Sequence, residues 1–197
     1  MAASETMHTL LGELAVVVAR LRAITVELRT RGRGGGAGVI WRADGLVVTS
    51  AHVVAGVHRA LDDAQVVLAD RRRLPAALVG WDWQLDLALL KVAAADLPAA
   101  TVGDSDRVRP GELVLAVGSP FGLAGAVATG VVHAAPREGS RARLIQADLR
   151  LAPGNSGGPM ADACGRVIGI NAMIAGGLAL AVPSRLVQAF VIRSARS

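Results

Sequence analysis

Three side chains in this sequence are of the types that perform acyl transfer, and they follow one another as His52, Asp86 and Ser156. Ser156 stands in PGNSGGPM, with glycines close by on both sides. A serine hydroxyl is a poor nucleophile until a base takes its proton, and a carboxylate can orient that base. The residues therefore allow nucleophilic attack on a carbonyl carbon, whereas GNSGG alone is equally typical of a glycine-rich turn.

Histidine is the natural base for such a serine, and the chain offers four. His52 follows the apolar segment GLVVTSA and precedes VVAG, which places it at a strand-to-turn junction that can face a cleft. His8 lies near the N-terminus, and His58 and His133 stand in polar or turn-like settings typical of surface residues. Taken alone, His52 is still more simply interpreted as a structural histidine.

The orienting carboxylate is best supplied by Asp86, which stands between Leu85 and Leu87 at the head of an apolar strand. Burial of a carboxylate is costly unless it is paired, and a histidine partner would explain its position. Asp82, between two tryptophans, and Asp148, just before the serine loop, are weaker candidates.

The glycines of the serine loop suit an oxyanion hole, the set of donors that stabilises the charge formed during acyl transfer. Gly154 can adopt a positive φ and direct its N–H the same way as that of Ser156. Gly157 and Gly158 allow another stretch of backbone to pass close behind the loop.

Composition indicates a globular protein of 197 residues, with 52% hydrophobic and 19% charged residues and 23 glycines. The net charge of +5 comes from arginine, because Lys91 is the only lysine. No basic helix or aromatic platform accompanies runs such as Arg71–Arg73, so a solvated surface is expected rather than nucleic-acid binding. Cys164 is the only cysteine, which excludes an intrachain disulfide.

Twelve short apolar segments predict twelve β-strands, six on each side of a turn-rich connection over residues 96–112. Two strand sets with no long helix between them indicate antiparallel barrels or a sandwich. The spacing of Leu10, Leu14, Val17, Val18 and Leu21 predicts an N-terminal amphipathic helix, and residues 184–197 predict a closing helix. The strand segments are ITVELR, GAGVIW, LVVTSA, AQVVLA, AALVGW and DLALLKV, then ELVLAVG, AVATGVVHA, RLIQAD, PMAD, RVIGINAMI and LALAVPS.

The N-terminal region lacks the features of a membrane span or an export signal, since Glu13, Arg20 and Arg22 interrupt its apolar residues. The localisation is therefore unknown. If the sequence is the whole protein, a cytoplasmic location is expected. If it is a trimmed part of an exported protein, the location is expected to be periplasmic or otherwise extracytoplasmic.

The segments TSAHVV, DLALLKV and PGNSGGP, in this order, resemble the trypsin-like serine proteases of the HtrA (Deg) family. Further similar segments, among them VGDSDRVRPGELVLAVGSPFGL, IQAD, GRVIGIN and LAVPS, extend the resemblance over residues 14–196. It implies an all-β fold of the chymotrypsin type with two six-stranded antiparallel β-barrels. The expected divisions are an N-terminal helix at 1–25, barrels at 26–108 and 109–183, and a C-terminal helix at 184–197.

The resemblance implies that His52 is the general base and then acid, Asp86 its orienter and Ser156 the nucleophile. Gly154 and Ser156 would donate the oxyanion-hole hydrogen bonds, with Asn155 shaping the loop. No metal and no cofactor is expected. The substrate-binding residues are expected to be Leu151, Ala179, Leu180 and Ala181, with residues 178–182 pairing with the substrate backbone by strand addition.

Specificity depends on Arg150, six residues before the serine, where related proteins have a small residue. If Arg150 faces the P1 pocket, acidic P1 residues are favoured. If it faces solvent, Leu151 and Leu180 leave a small apolar pocket, and this second alternative agrees with a family that generally cuts after small aliphatic residues.

The expected function is endopeptidase cleavage of unfolded or damaged proteins through an acyl-enzyme. The alternative is a non-proteolytic chaperone-like or partner-binding protein on the same fold. The family's PDZ domain is not found in this chain, and a homotrimer through residues 10–30 is possible. No membrane segment and no nucleic-acid partner is expected.

Overall fold

The computed structural model of the chain describes residues 2–30, 33–55, 64–136 and 143–195. His58, considered above as a surface histidine, lies outside these residues.

The first six strands close into one antiparallel barrel with the strand order β1-β2-β3-β6-β5-β4. The barrel closes because β1 pairs with β4 through residues such as Glu27 and Val67. The strands are β1 (Thr25–Thr30), β2 (Arg33–Arg42), β3 (Leu46–Thr49), β4 (Ala64–Val67), β5 (Arg73–Asp82) and β6 (Leu87–Val92).

The last six strands close into a second antiparallel barrel with the order β7-β8-β9-β12-β11-β10. This order repeats that of the first barrel strand for strand, although the sequence carries no evident internal repeat. The fold class predicted from the sequence, two six-stranded antiparallel barrels, is confirmed. The strands are β7 (Leu113–Gly118), β8 (Ala126–Ala134), β9 (Ile145–Asp148), β10 (Pro159–Asp162), β11 (Val167–Ala175) and β12 (Leu178–Pro183).

Adjacent residues of the central strands serve two different cores. Val47 in β3 and Leu90 in β6 point into the first barrel, whereas Val48 and Leu89 point into an apolar cluster between the barrels. Because successive side chains alternate between the two faces of a strand, a strand buried on both faces must be apolar at every position. This requirement explains the continuous apolar runs LVV and LALL.

Both helices cover the cluster between the barrels. Helix α1 (Ala2–Ile24) contributes the buried Leu21 and Ile24, and helix α2 (Ser184–Ser194) contributes Val187 and Phe190. Across the described part of the chain, no helix is long and apolar enough to traverse a bilayer.

The connection between the barrels is hydrogen-bonded to both of them. Ala100 N–H donates to Ile40 C=O in the first barrel at 2.9 Å. In the second barrel, Gly103 N–H donates to Val167 C=O at 2.9 Å, and Val167 N–H donates to Thr101 C=O at 2.8 Å. These contacts fix the relative position of the barrels, and with it the cleft that holds the candidate site.

Candidate active site

His52 and Asp86 are brought together by the pairing of the strands that carry them. His52 lies in a single 3₁₀ turn, Ala51–Val53, directly after β3, and Asp86 directly precedes β6. Because β3 and β6 are antiparallel neighbours, with Thr49 opposite Ala88, the end of one strand meets the start of the other. The two residues, 34 apart in sequence, therefore lie in contact.

The Asp86 carboxylate accepts two hydrogen bonds from His52. Oδ2 accepts from the ring Nδ1 at 2.7 Å, and Oδ1 accepts from the backbone N–H at 2.9 Å. The Asp86 carbonyl also accepts from Ala51 N–H at 3.1 Å. With the ring proton held on Nδ1, the Nε2 lone pair is free to act as a base.

The hydrogen bond to Asp86 raises the pKa of His52 above its ordinary value of 6.5. The carboxylate charge adds to this rise, while partial burial of the imidazole opposes it. The His52 side chain is still 49% exposed, so it can reach a substrate in the cleft.

Asp86 has a φ of +54°, a left-handed conformation that is uncommon outside glycine. Such a conformation costs about 1 kcal/mol, although Asp tolerates it better than most residues. The three hydrogen bonds to residues 51 and 52 depend on this local geometry. Strained backbone held in place by surrounding contacts is typical of functional sites.

The other candidates for base and orienter lie elsewhere. Asp82 Oδ1 accepts from the N–H groups of Gln84 and Leu85 at 3.0 Å each, so this carboxylate closes the turn between β5 and β6. Asp148 ends β9 and is exposed, and His133 is an exposed residue of β8.

The loop before Ser156 is a tight turn. Asn155 N–H donates to Ala152 C=O at 3.0 Å, with Pro153 and Gly154 at the two central positions. Proline at the first and a residue with positive φ at the second are the marks of a type II turn, and the φ of Gly154 is +105°. A Cβ on Gly154 would lie 2.4 Å from Ser119 O, so the loop also needs glycine for space.

Two N–H groups of this loop remain available as donors. Within the described residues, neither Gly154 N–H nor Ser156 N–H donates to a backbone carbonyl, whereas Asn155 N–H is used in the turn. Asn155 is 6% exposed and its carbonyl accepts from Gly158 N–H at 3.1 Å, so it belongs to the frame of the loop.

The hydroxyl of Ser156 donates to Ala172 C=O at 3.2 Å. Within the described part of the chain it makes no hydrogen bond to His52. Transfer of its proton to His52 would require the hydroxyl to leave the Ala172 carbonyl by rotation about the Cα–Cβ bond.

The backbone of Asn171 ties the serine loop to the histidine segment, a role that the sequence did not reveal. Its carbonyl accepts from Gly157 N–H at 2.7 Å and from Ser50 Oγ at 3.1 Å. Its own N–H donates to Gly158 C=O at 2.9 Å, and its side-chain amide donates to Pro159 C=O at 3.1 Å. The one signal in the sequence was a polar residue within the apolar strand segment RVIGINAMI.

Gly157 and Gly158 allow close backbone passage, as predicted. A Cβ on Gly157 would lie 2.2 Å from Ala37 O, and one on Gly158 would lie 2.2 Å from Val117 O. Ala37 N–H donates to Ser156 C=O at 2.8 Å, which anchors the serine from the first barrel.

The prediction that residues 178–182 pair with a substrate backbone is wrong. These residues lie in β12, which is hydrogen-bonded on one edge to β11 and on the other to β9. Pairing with both neighbours occupies the backbone of residues 179–181 on both edges, so this part of the strand is not left for strand addition.

The side chains predicted to bind substrate separate into two groups. Ala179 and Ala181 are fully buried and face the core of the second barrel, against which Leu151 also packs. Leu180 lies on the opposite face of β12 and is partly buried. Arg150 is exposed. Within the described residues, no three His, Cys, Asp or Glu side chains are grouped so that they could hold a metal ion.

Comparison with known proteins gives one family model, described as a trypsin-like peptidase domain, which matches residues 36–170. A putative serine protease, HhoB, of Synechocystis sp. is 41% identical over 168 residues, covering 80% of this chain and 39% of the relative. A probable periplasmic serine endoprotease, DegP-like, of Marinomonas sp. is 44% identical over 165 residues, covering 79% and 34%. The chain thus spans between a third and two fifths of these relatives.

Solved structures of HtrA-type proteases have the same fold. The HtrA-type protease AlgW with a decapeptide aligns with a TM-score of 0.83 and 31% identity, covering 93% of this chain and 67% of that one. AlgW with a tripeptide aligns with a TM-score of 0.81 and 37% identity, covering 89% and 61%.

Proposed function

Because this chain belongs to the trypsin-like peptidase domain family, with HtrA-type proteases among its relatives, we propose that it is a serine endopeptidase. Ser156 is the nucleophile, His52 the general base and then acid, and Asp86 the residue that orients the imidazole. The observation that carries this proposal is the Asn171 carbonyl, which accepts from both Gly157 and Ser50. That carbonyl links Gly157, which directly follows Ser156, to Ser50, which lies two residues before His52.

Acylation begins when the Ser156 hydroxyl turns from Ala172 C=O towards His52 Nε2. Its oxygen forms a bond to the substrate carbonyl carbon while its proton passes to Nε2. The carbonyl electrons move onto oxygen, where the free N–H groups of Gly154 and Ser156 are available to bind the oxyanion.

The tetrahedral intermediate collapses when the carbon–nitrogen bond breaks, and the leaving amine takes the proton from Nε2 of His52. Water then attacks the ester carbonyl of the acyl-enzyme while Nε2 of His52 takes its proton. The ester bond breaks as that proton passes to the Ser156 oxygen, which releases the carboxylic acid product and restores the serine. Asp86 stabilises the imidazolium in both halves through its 2.7 Å hydrogen bond to Nδ1.

Labelling with a fluorophosphonate probe and digestion of casein test the proposal, with Ser156→Ala as the matched control. We expect labelling and digestion by the unmodified chain and neither by the variant. A folded chain that is not labelled and does not digest casein, yet binds unfolded casein, would overturn the proposal in favour of the non-proteolytic binding function.

For the substrate, we propose unfolded proteins cut after small aliphatic residues. Leu151, which packs against the barrel core that holds Ala179 and Ala181, is the apolar wall of the proposed P1 pocket, and Leu180 lies on the opposite face of β12. Arg150 extends into solvent. A peptide panel that differs only at P1 tests this assignment, and preferred cleavage after Asp or Glu would reverse the placement of Arg150.

For the cellular setting, the DegP-like relatives are named as probable periplasmic proteases, which favours the extracytoplasmic alternative. Fractionation of cells that express the natural gene tests it. The possible homotrimer through residues 10–30 remains a prediction. Within the chain itself, Leu14, Val17, Val18 and Leu21 of α1 already pack against the cluster between the barrels.

A further inference from the structure

A cavity of about 320 Å³ beside the candidate active site is lined by four arginines, and we name it the arginine cleft. Arg22 comes from α1, Arg29 from β1, Arg71 from the turn between β4 and β5, and Arg73 from β5. Among the described residues that line it, Glu27 is the single acidic one. Four segments of the chain thus bring cationic side chains to one place.

Within the described residues, most of this positive charge is not neutralised by acidic side chains. Arg29 forms a two-point ion pair with Glu27, at 2.8 and 3.1 Å. Arg22 Nε donates at 2.7 Å to Gly125 C=O, a neutral acceptor. As far as the described residues extend, Arg71 and Arg73 have no ion-pair partner.

The acidic residue nearest to Arg71 in sequence is engaged elsewhere. Asp70 accepts from the backbone N–H of Arg72 at 3.0 Å and from its guanidinium Nε at 2.7 Å. Arg72 is not part of the lining of the arginine cleft. The middle arginine of the run therefore neutralises Asp70, and the described part of the chain supplies no carboxylate for the guanidinium groups of Arg22, Arg71 and Arg73.

The backbone of Arg71 supports a role for its side chain. Its φ is +72°, in the left-handed region where hairpin turns normally place glycine. The turn is closed by hydrogen bonds from Arg71 N–H to Leu68 C=O at 3.0 Å and from Leu68 N–H to Arg72 C=O at 2.9 Å. An arginine here costs about 1 kcal/mol relative to glycine, and strain of this kind is concentrated at functional sites.

The arginine cleft adjoins the oxyanion side of the serine loop. A second cavity of about 320 Å³ is lined by Gly35, Gly36, Phe121 and Gly154. Glu27 and Ser119 line both cavities, which makes the two spaces neighbours. A cavity of that volume is roughly 8 Å across and holds about two extended residues of ~3.4 Å each.

The proposed P1 pocket puts the arginine cleft on the leaving-group side of the active site. Leu151 is the wall of the proposed P1 pocket, and it lines neither the arginine cleft nor the cavity that leads to it. For a substrate whose acyl half occupies the P1 pocket and whose carbonyl oxygen lies at Gly154, the cavity lined by Gly35 and Gly36 is then the space for the residues after the scissile bond.

We propose that the arginine cleft binds acidic side chains of the substrate about three to five residues after the scissile bond, with Arg71 and Arg73 as the specificity-determining residues. This inference rests on the proposed endopeptidase function. A guanidinium group donates two parallel hydrogen bonds to a carboxylate, so an Asp or Glu side chain fits the free charges. A membrane or nucleic acid is not required by the arrangement, because the cleft holds few charges and adjoins the serine loop.

The experiment compares two internally quenched peptides that are identical except for Glu or Gln at the third to fifth positions after the scissile bond. We expect kcat/KM to be about 10-fold higher for the Glu peptide at low salt, as for charge-assisted hydrogen bonds that remain partly exposed. The ratio should fall as salt rises, because exposed charges are screened. A third peptide, with Glu before the scissile bond, should show no such gain.

In the double variant Arg71→Gly, Arg73→Gln, the ratio of kcat/KM for the Glu peptide to that for the Gln peptide should fall to about one. The control Arg107→Gln removes one positive charge from an exposed residue outside the cleft and should keep the ratio. Because glycine relieves the left-handed strain at position 71, the single change Arg71→Gly should leave the melting temperature unchanged or higher. A merely structural arginine would show the opposite.

Binding of the same peptides to the Ser156→Ala chain, measured by fluorescence anisotropy, separates this inference from the proposed function. Tighter binding of the Glu peptide, lost in the cleft variant, supports the arginine cleft even if no peptide is cleaved. Equal affinity for the Glu and Gln peptides overturns it, whether or not the unmodified chain is labelled by a fluorophosphonate. A gain only from Glu before the scissile bond also overturns it.

Discussion

Asp86 binds His52 at two points, the ring Nδ1 at 2.7 Å and the backbone N–H at 2.9 Å. One carboxylate therefore sets both the tautomer of the imidazole and the position of the chain that carries it. A carboxylate that accepted from the ring alone would not fix the backbone of the 3₁₀ turn that carries His52. The bond to the backbone N–H fixes the turn as well as the ring.

Replacement of Asp86 by Asn tests this relationship. An amide has one acceptor oxygen and one NH2 donor, so either the backbone N–H of His52 loses its acceptor or the NH2 group donates to Nδ1 and stabilises the wrong tautomer. We expect kcat for a peptide substrate to fall by about 10⁴-fold. The matched control is Asp82→Asn, which retains an acceptor for the turn at Gln84 and should keep activity within about twofold. Activity of Asp86→Asn above a tenth of the unmodified level would contradict the role given to Asp86.

The raised pKa of His52 makes a prediction for the pH profile. General-base catalysis needs the neutral imidazole, so kcat/KM should rise with pH through a midpoint above 6.5. In Asp86→Asn the main cause of the upward shift is removed, and the midpoint of the residual activity should move to lower pH. A midpoint that is unchanged by the substitution would show that the Asp86 hydrogen bond does not set the pKa.

The same shift has a sign for stability. Because the folded-state pKa of His52 is raised, protonation of this residue stabilises the fold at pH values below 6.5. That contribution is lost as pH rises through the folded-state pKa. Denaturant titrations at several pH values measure the free energy of unfolding of the unmodified chain and of His52→Gln. A stability advantage of the unmodified chain that grows towards high pH would contradict the prediction.

Gly154→Ala should remove the oxyanion donor without unfolding the protein. Alanine at φ +105° is strained, and its Cβ would collide with Ser119 O, so the turn must rearrange and carry the Gly154 N–H with it. We expect kcat to fall by about 10²- to 10³-fold. Gly111→Ala is the control, because Gly111 has a φ of +89° but open space around its Cβ position. It should lose stability but not kcat.

Phe190→Ala should be strongly destabilising. Phe190 is 2% exposed and lies on α2 in the cluster between the barrels, so its removal leaves a cavity where both barrels and the helix meet. We expect the free energy of unfolding to fall by about 3–5 kcal/mol, measured by urea titration. The control is Ile192→Ala, because Ile192 lies on the same helix and is 55% exposed. Its free energy of unfolding should fall by less than about 1 kcal/mol. Equal losses of unfolding free energy in the two variants would contradict the packing of Phe190 in the cluster between the barrels.

Local patterns in the sequence were sufficient for the twelve strands, because alternation and apolar runs record which faces of a strand are buried. They also singled out Asp86, since a carboxylate between two leucines has a high cost unless it is paired. They were insufficient for β12, whose sequence looks like that of any apolar strand. Whether its edges are free depends on β9 and β11, and residue types alone do not reveal strand neighbours.

The sequence by itself determined the strand segments, the apolar faces of both helices and the residue types of a nucleophilic site. The tertiary structure alone decided that Ser156 donates to Ala172, that Asn171 ties the serine loop to Ser50, and that the arginines of four segments line one cleft. The reason is physical. Periodicity along a chain reports burial at each residue, whereas hydrogen bonds and cavities between distant segments exist only once both barrels have closed and packed together.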